Sequence, residues 1–589
     1  MNNYLKIIEE NLSDNDKALL ERIYAPEVVT IPPCDASRSM CVTPDGEIRI
    51  YGAFGKTHPE DVGTMVYSSS KDCGLSWKTH LITDENVLGC AGYNPQTGRY
   101  IASYPNEYRP DLTKNFGKSG TWAILNDEGY DSTKNRFVKI SDDKVHVLKL
   151  PFYLESCNRW FIIGQYQYPH NTNVIIVVFY SDDDGETWTE NRLEEEPLVY
   201  EVKPPHKGIR WQNYYCEPTI VELSDGELVM MIRTTMDYHY MCRSKDKGET
   251  WSKPEQSVFH GTNTMPILQK LSDGRILFFW CNTQLLPEID QKNVFPPLTE
   301  DDLLGNGEDV FTNRDANHLA VSEDDMKTWT AIRELYLNPI RNNSDFRSIG
   351  GVDSIDKSVH QGQILELPYN KVMIHFGQNI SARKVVIFDL DWLYEKERYE
   401  NFRFGTSNVS TQMYIHSNLG NYKGFSGHCA YNRTHGAMLA PDPDGNYEEA
   451  LRVCRVEDER LVYKKQGVVW NFPASAEGKV EIRLQVVGSG VSISLTDHWY
   501  NPVDEEIKNE AHVNFNVDKK CGWTDVVINY SPEKAEIFIG DEKYTKEINL
   551  PAPLGLMYLH IQTLAEEEDM QGTFIKSLRK SQINAMSLT

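Results

Sequence analysis

The chain has no apolar run long enough, at roughly 18–20 residues, to predict a membrane-crossing helix. Its cysteines number 11, an odd count, with no CxxC pair and no zinc-like spacing. Reduced, buried thiols are therefore expected, as in a cytoplasmic protein. Positive charge is short: 60 Lys and Arg face 86 Asp and Glu, a net charge of -26. Such a field repels nucleic acid and anionic membranes, so neither is expected as a partner. There is no dinucleotide fingerprint and no phosphate loop. The acidic stretch SDDDGETW (181–188) lacks the regular 12-residue ligand loop of an EF-hand. No cofactor and no metal are expected. The opening stretch MNNYLKIIEENLSDNDKALL carries acids and no signal-peptide core. This agrees with a cytoplasmic location; a secreted protein trimmed of its leader is the alternative.

The 589 residues are 40% hydrophobic and 25% charged, an ordinary globular composition. Aromatic residues make up 11%, with 12 Trp and 31 Tyr, a richness that suits all-β folds. A phrase of the form Ser-x-Asp-x-Gly-x-Ser/Thr-Trp occurs as Ser70–Trp77, Ser181–Trp188 and Ser244–Trp251. A fourth copy, Ser322–Trp329, has Met326 where the others have glycine. The physical logic is a locked turn: Asp and Ser bond to the turn backbone, glycine supplies an unusual φ/ψ and Trp packs beneath. These residues are expected to hold turns and do no chemistry.

A second, independent repeat is a turn opening onto an apolar strand, with turn residues Gly46, Gly98, Asn158, Gly226, Gly274 and Asn370. Six units of roughly 65 residues each fit six four-stranded blades. Residues 30–398 are therefore expected to form a six-bladed β-propeller. Before it, residues 1–29 have helical periodicity (Leu5, Ile8, Leu12; Leu19, Leu20, Ile23). After it, residues 399–589 lack both repeats, and segments such as VEIRLQVV and KAEIFIGD alternate as strands. This tail is expected to be a C-terminal β-sandwich that binds carbohydrate or braces the propeller. The fold class is all-β.

Several such turn boxes on a six-bladed propeller resemble the exo-sialidase (neuraminidase) superfamily, over about 370 residues. The sharper match is CEPTIVELSDGELVMMIRT (216–234), where Glu217 precedes Arg233 by 16 positions, as in the sialidase segment. The resemblance implies a glycoside hydrolase that grips the carboxylate of a terminal acidic sugar, sialic acid above all, with three arginines. A guanidinium holds a carboxylate through paired charge-assisted bonds that Lys cannot copy. Arg233 is the first of these. Arg314 resembles the third family arginine, before the last box. Arg38 stands where the first would be, without the family's Arg-Ile-Pro motif.

The same resemblance nominates Asp61 as general acid, with Glu60 as its neighbour and rival. Sialidases use a Tyr nucleophile paired with a Glu. The family Tyr falls nine residues before the last turn residue, where this chain has Gln361, with His360 beside it. So His360 is a candidate base and Gln361 a candidate for holding a sugar hydroxyl; alternatively Glu217 activates water directly, giving inversion. Asn282 and Gln378, each eight after its turn residue, are candidate substrate contacts. The expected partner is a glycan. The alternatives are a hydrolase or lyase of another sugar on the same propeller, or a propeller that binds glycans without cleaving them.

Overall fold

In the computed structural model, the described residues are 3–31, 39–53, 60, 63–105, 119–147, 149–167, 174–193, 215–234, 238–261, 264–284, 314–342, 358–377, 382–414, 433–461, 463–518 and 521–583. Two short helices come first, Asn3–Asn11 and Asp14–Arg22. The second starts on a capping box, Ser13 accepting from the Asp16 N–H and Asp16 accepting from the Ser13 N–H. Ile8, Leu12, Leu20 and Ile23 bury their side chains against the first and last blades.

Six sheets follow, each an antiparallel meander of four strands. Blade 1 is Met40–Val42, Ile48–Ala53, Met65–Ser70 and Lys78–Leu81. Blade 2 is Gly92–Tyr93, Tyr100–Tyr104, Thr121–Asn126 and Arg136–Ser141. Blade 3 splits its first strand into His146–Val147 and Phe152–Leu154, then runs Arg159–Gln167, Val174–Ser181 and Thr189–Leu193. Blade 4 is Cys216–Glu222, Leu228–Arg233, Tyr238–Ser244 and Glu255–His260. Blade 5 is Ile267–Lys270, Ile276–Trp280, Ala316–Ser322 and Thr330–Leu337. Blade 6 has Gln363–Leu367, Lys371–Phe376 and Lys384–Asp389, and takes its fourth, outermost strand from near the N-terminus, Glu27–Thr30. There Glu27 lies opposite Ile387 and Val28 opposite Val386. The chain is an all-β six-bladed propeller with a β-sandwich after it.

All six expected turn residues join the first and second strands of a blade, and all have left-handed φ, from 51° at Asn158 to 95° at Gly274. The four turn boxes join third and fourth strands and share the same Ser and Asp bonds to the turn backbone. In the first, the Gly74 N–H donates to Ser70 Oγ (2.7 Å) and the Ser76 N–H to Asp72 Oδ1 (2.9 Å). The Trp77 indole donates to the Gly74 carbonyl (2.8 Å). Each box places two successive residues at positive φ: Cys73 and Gly74, Asp184 and Gly185, Lys247 and Gly248, Asp325 and Met326. The glycines also let each box nestle against the blade before it. A Cβ on Gly74 would meet Met373 of blade 6, on Gly185 Ile101 of blade 2, and on Gly248 Phe161 of blade 3. In the fourth box Met326 adopts the same φ of 63° and packs its buried side chain among Val221, Val229 and Met231 of blade 4. Gly185→Ala combines a left-handed non-glycine residue with a Cβ 2.5 Å from Ile101 Cδ1. It is expected to cost about 1–3 kcal/mol, read as a lower urea midpoint at unchanged slope.

Side chains join each blade to the next all the way round. Arg49 of blade 1 pairs with Asp131 of the second unit (2.9 Å), and Arg99 of blade 2 with Glu186 of the third (2.8 Å). Arg159 of blade 3 reaches Glu249 of the fourth unit (3.0 Å). The Ser224 N–H donates to Asp325 (3.0 Å) and the Ser272 N–H to Glu366 (2.7 Å). Gln363 of blade 6 then closes the circle on the backbone of Met40 in blade 1.

The sandwich packs an eight-stranded sheet containing Glu449–Arg455, Gly478–Val486 and Asp569–Ser581 against a five-stranded sheet containing Gly467–Ser475, Val491–Thr496 and Leu556–Thr563. Their inner faces share one core that includes Trp470, Ile482, Ile493, Ile528 and Leu559. The five-stranded sheet joins the propeller at blades 4 and 5, where Trp499, Met557 and Tyr558 pack with Phe278 and Trp280. Polar bonds cross the same border: the Trp499 N–H donates to the Asn282 carbonyl (3.1 Å) and the Asn501 N–H to Gln284 Oε1 (2.9 Å). The described cysteines are all free and mostly buried. No described helix is long and apolar enough to cross a membrane.

Candidate functional site

In every blade the turn residues and boxes occupy one end. The opposite end carries the start of the first strand, the end of the second and the start of the third. Glu217, Arg233, Arg314, His360 and Gln361 all fall at that second end.

Glu217 opens the first strand of blade 4 and Arg233 closes the second. Cys216 is paired with Arg233, and the register slips between Cys216 and Thr219, so Glu217 sits in a bulge. Its carboxylate accepts from Arg233 Nη1 at 2.7 Å, with side-chain exposures of 8% and 5%. Its φ is 44°, in the left-handed region, although Pro218 follows and residues before proline prefer extended backbone. A strain of about 1–3 kcal/mol at such a residue marks a place that the surrounding structure over-determines. The constraints are visible: the ion pair, and the Glu217 N–H donating to Gln165 Oε1 of blade 3 (3.3 Å).

Arg314 is buried, immediately before the third strand of blade 5. Its carbonyl accepts from the Val359 N–H (2.7 Å), which ties it to the segment carrying His360 and Gln361. His360 is fully buried, its carbonyl accepting from the Gly377 N–H (2.9 Å) and its Nδ1 facing the Met265 N–H at 3.5 Å. Gln361 is buried with φ 61°, a second strained residue at this end. Gly362 beyond it cannot become alanine without meeting the His375 carbonyl at 2.5 Å. Neighbouring first strands touch here too, the Leu268 N–H donating to Thr219 Oγ1 (3.2 Å). The structure thus joins Glu217 directly to Arg233, and Arg314 to His360 through one backbone bond.

Asn282 is placed elsewhere. It is fully buried, and its amide donates to the Asp497 carbonyl (2.9 Å) and faces Met557 Sδ (3.0 Å). The sandwich engages it, and that contact is invisible to a count along one blade. Arg38, Asp61 and Gln378 lie outside the described residues. Tyr369 stands at the turn end, its hydroxyl donating to Glu9 (3.2 Å).

One residue escaped the sequence reading. Arg383 is 1% exposed and immediately precedes the third strand of blade 6, as Arg314 lies two residues before the third strand of blade 5. The signal was present in SARKVVIF beside TNRDANHLAV, an arginine entering the same strand of successive blades. Arg383 lies close enough to His375 to act on its charge. Burial, then this guanidinium, pushes His375 down to about 3. Neither ring nitrogen of His375 has a hydrogen-bond partner among the described residues. Its folded value lies below the ordinary 6.5, so the unfolded chain takes up the proton first. Stability is therefore lost as pH falls from about 6.5 towards 3, at up to about 1.4 kcal/mol per pH unit. Buried Glu334 and half-buried Asp504 and Glu510 are shifted up and act in the opposite sense. The histidine share is isolated by His375→Met, which is expected to gain stability relative to the parent between pH 7 and pH 5, measured by thermal melting.

Residues 144–374 match the BNR repeat-like domain. This relates that part of the propeller to BNR repeat-like proteins. No curated protein matches the chain. Among solved structures, a protein of unknown function from Dyadobacter fermentans is similar at 15% identity and a TM-score of 0.38, covering 62% of this chain and 99% of its own. Trypanosoma rangeli sialidase in complex with 2,3-difluorosialic acid is similar at 12% identity and a TM-score of 0.34, covering 94% and 92%. An exo-beta-1,3-galactanase from Phanerochaete chrysosporium, with galactose, is similar at 9% identity and a TM-score of 0.31, covering 94% and 100%.

Proposed function

We propose that the BNR repeat-like propeller is an exo-glycosidase that removes a terminal acidic sugar, with sialic acid the first substrate to test. The observation that carries this reading is the buried Glu217–Arg233 pair on strained backbone. A buried ion pair contributes little net stability, because desolvating both charges offsets their attraction. Retaining one at a strained residue fits a site built to meet a ligand.

In this reading Arg233 and Arg314 hold the sugar carboxylate, with Arg383 added to them and Arg38 completing the set. Asp61 protonates the leaving oxygen, while Gln361 and Gln378 hold hydroxyls. Asn282 is left out, because the sandwich occupies its amide. Glu217 and the substrate carboxylate share one guanidinium, so filling the site loosens Glu217. With Gln361 where the family Tyr would stand, Glu217 or His360 activates water directly, and the anomeric configuration inverts. The test is turnover of aryl glycosides of acidic and neutral sugars, followed by proton NMR of the first anomer released. Release of an acidic sugar with inversion supports the full reading. Retention removes the direct-water step.

A second reading has its own observation. Arg233 already has a carboxylate partner in Glu217, which lowers the positive charge offered to an anionic sugar. This favours a hydrolase or lyase of another sugar on the same scaffold, and turnover of neutral glycosides alone would select it. Binding without turnover of any of them would leave a glycan-binding propeller.

A further inference from the structure

A cluster of side chains that the proposed reaction does not use lies at the border between propeller and sandwich. His260 ends the outermost strand of blade 4, and Asp497 and His498 follow the sandwich strand Val491–Thr496. His260 Nε2 lies 3.4 Å from Asp497 Oδ2, and His498 Nδ1 lies 2.6 Å from Asp497 Oδ1. One ligand atom from each of the three fits within 4.8 Å of the other two. We propose that His260, Asp497 and His498 form a divalent metal site of the zinc class that fastens the sandwich to the propeller.

The donor set is right for such an ion. Two imidazoles and a carboxylate suit zinc, whose bonds of about 2.0–2.2 Å place tetrahedral ligand atoms about 3.3 Å apart; the His260–Asp497 separation of 3.4 Å matches this, and the 2.6 Å His498–Asp497 hydrogen bond opens to admit the ion. All three residues are nine-tenths buried or more, and His260 Nδ1 has no hydrogen-bond partner among the described residues. No described Lys or Arg pairs with Asp497; its ionic neighbours are His260, His498 and, at 3.9 Å, His512. A buried carboxylate ringed by imidazoles leaves a charge for a cation to balance.

The groups around the cluster hold it in place. Tyr238 lies against the His260 ring (centroids 4.6 Å apart) and Tyr500 against His498 (4.5 Å). The Tyr500 hydroxyl donates to Glu510 (2.8 Å), and Thr496 Oγ1 donates to the His498 carbonyl (2.7 Å). The Asp497 carbonyl accepts from Asn282 of blade 5 (2.9 Å), so the loop carrying two ligands is pinned to the blade beside the one bearing the third. Such outer contacts orient ligating side chains and tune their affinity. His512 Nε2, now bonded to the Pro551 carbonyl (3.2 Å), is the nearest further donor for the fourth position.

The test uses the full chain, free of any histidine tag. The protein is incubated with excess zinc, dialysed and analysed by elemental mass spectrometry, and separately titrated with cobalt(II). The expected result is about one zinc per chain and a visible cobalt absorption that saturates at one equivalent. Asp497→Asn and His498→Ala are expected to weaken binding at least tenfold, with circular dichroism confirming their fold, while the exposed variant His435→Ala keeps it. Zinc is expected to raise the melting temperature and a chelator to reverse the shift. Substoichiometric zinc in the parent protein with a featureless cobalt spectrum would overturn the proposal, and that measurement does not depend on any variant folding. Equal retention by the Asp497 and His498 variants would overturn it as well. None of these readouts involves glycoside turnover, so they stand or fall apart from the proposed reaction.

Discussion

Glu217→Gln is expected to lower turnover of the responsive aryl glycoside by about a hundredfold to ten-thousandfold, the usual contribution of a positioned general base. The exchange keeps the shape and an acceptor for Arg233 Nη1 while removing the charge. The partner left behind is a buried guanidinium, and breaking a buried pair costs up to about 3–5 kcal/mol when one side is lost outright. Turnover and melting must therefore be read together. A loss of turnover in a variant that still melts cooperatively near the parent assigns Glu217 to the chemistry. Undiminished turnover would remove Glu217 from the reaction. Arg233→Lys provides the companion measurement: it keeps the charge but not the planar fork, so on an acidic sugar KM is expected to rise more than kcat falls.

Tyr558→Phe is expected to produce the largest loss of stability outside the candidate site. The Tyr558 hydroxyl, fully buried between sandwich and propeller, donates to Glu334 Oε2 (2.9 Å) and meets His318 Nε2 at 2.5 Å. His318 Nδ1 accepts from the Asn282 N–H (3.0 Å), so the proton on its neutral ring sits on Nε2 and points at the tyrosine oxygen. Burial holds His318 down at about 3, so its ring is neutral near pH 7, and the same burial pushes the Glu334 carboxyl up. Removing one oxygen orphans a ring N–H and a carboxyl at once, each worth about 1–3 kcal/mol. The expected total, about 2–6 kcal/mol, is read from urea unfolding, with the sandwich detaching before the propeller melts. A midpoint unchanged from the parent would show that the relay does not bind the two units together.

Much of the propeller is legible in the sequence because its turns depend on local chemistry. Six residues at one offset from an apolar strand, and four boxes with Ser and Asp at fixed spacing, all have the φ that their type suggests. Met326 is the informative exception: it takes the left-handed geometry of the missing glycine and fills with side chain the space the glycines leave to their neighbours. Glu27–Thr30 was not legible as a blade strand. Its four residues are half-buried to exposed, without the alternation that marks an inner strand. At the candidate site the Glu217–Arg233 spacing carried true information, since a hairpin converts 16 residues of sequence into one contact. Asn282 could not be read the same way, because what it meets lies 215 residues further along. His260 and Asp497 are separated by 237 residues, so no ligand spacing could announce them.

The outermost strand of blade 6 has a consequence for synthesis. Glu27 is made 360 residues before Ile387, which lies opposite it. At about 5–20 residues per second, that segment waits on the order of tens of seconds for its partner. Until then the Glu27–Thr30 strand leaves an open edge, and the blades already made are held only by contacts between consecutive blades. The nascent chain therefore stays exposed to mispairing along that edge longer than along any seam formed within a blade, and a bulky fusion placed directly ahead of Glu27 is expected to lower the yield of folded protein more than one placed after the sandwich.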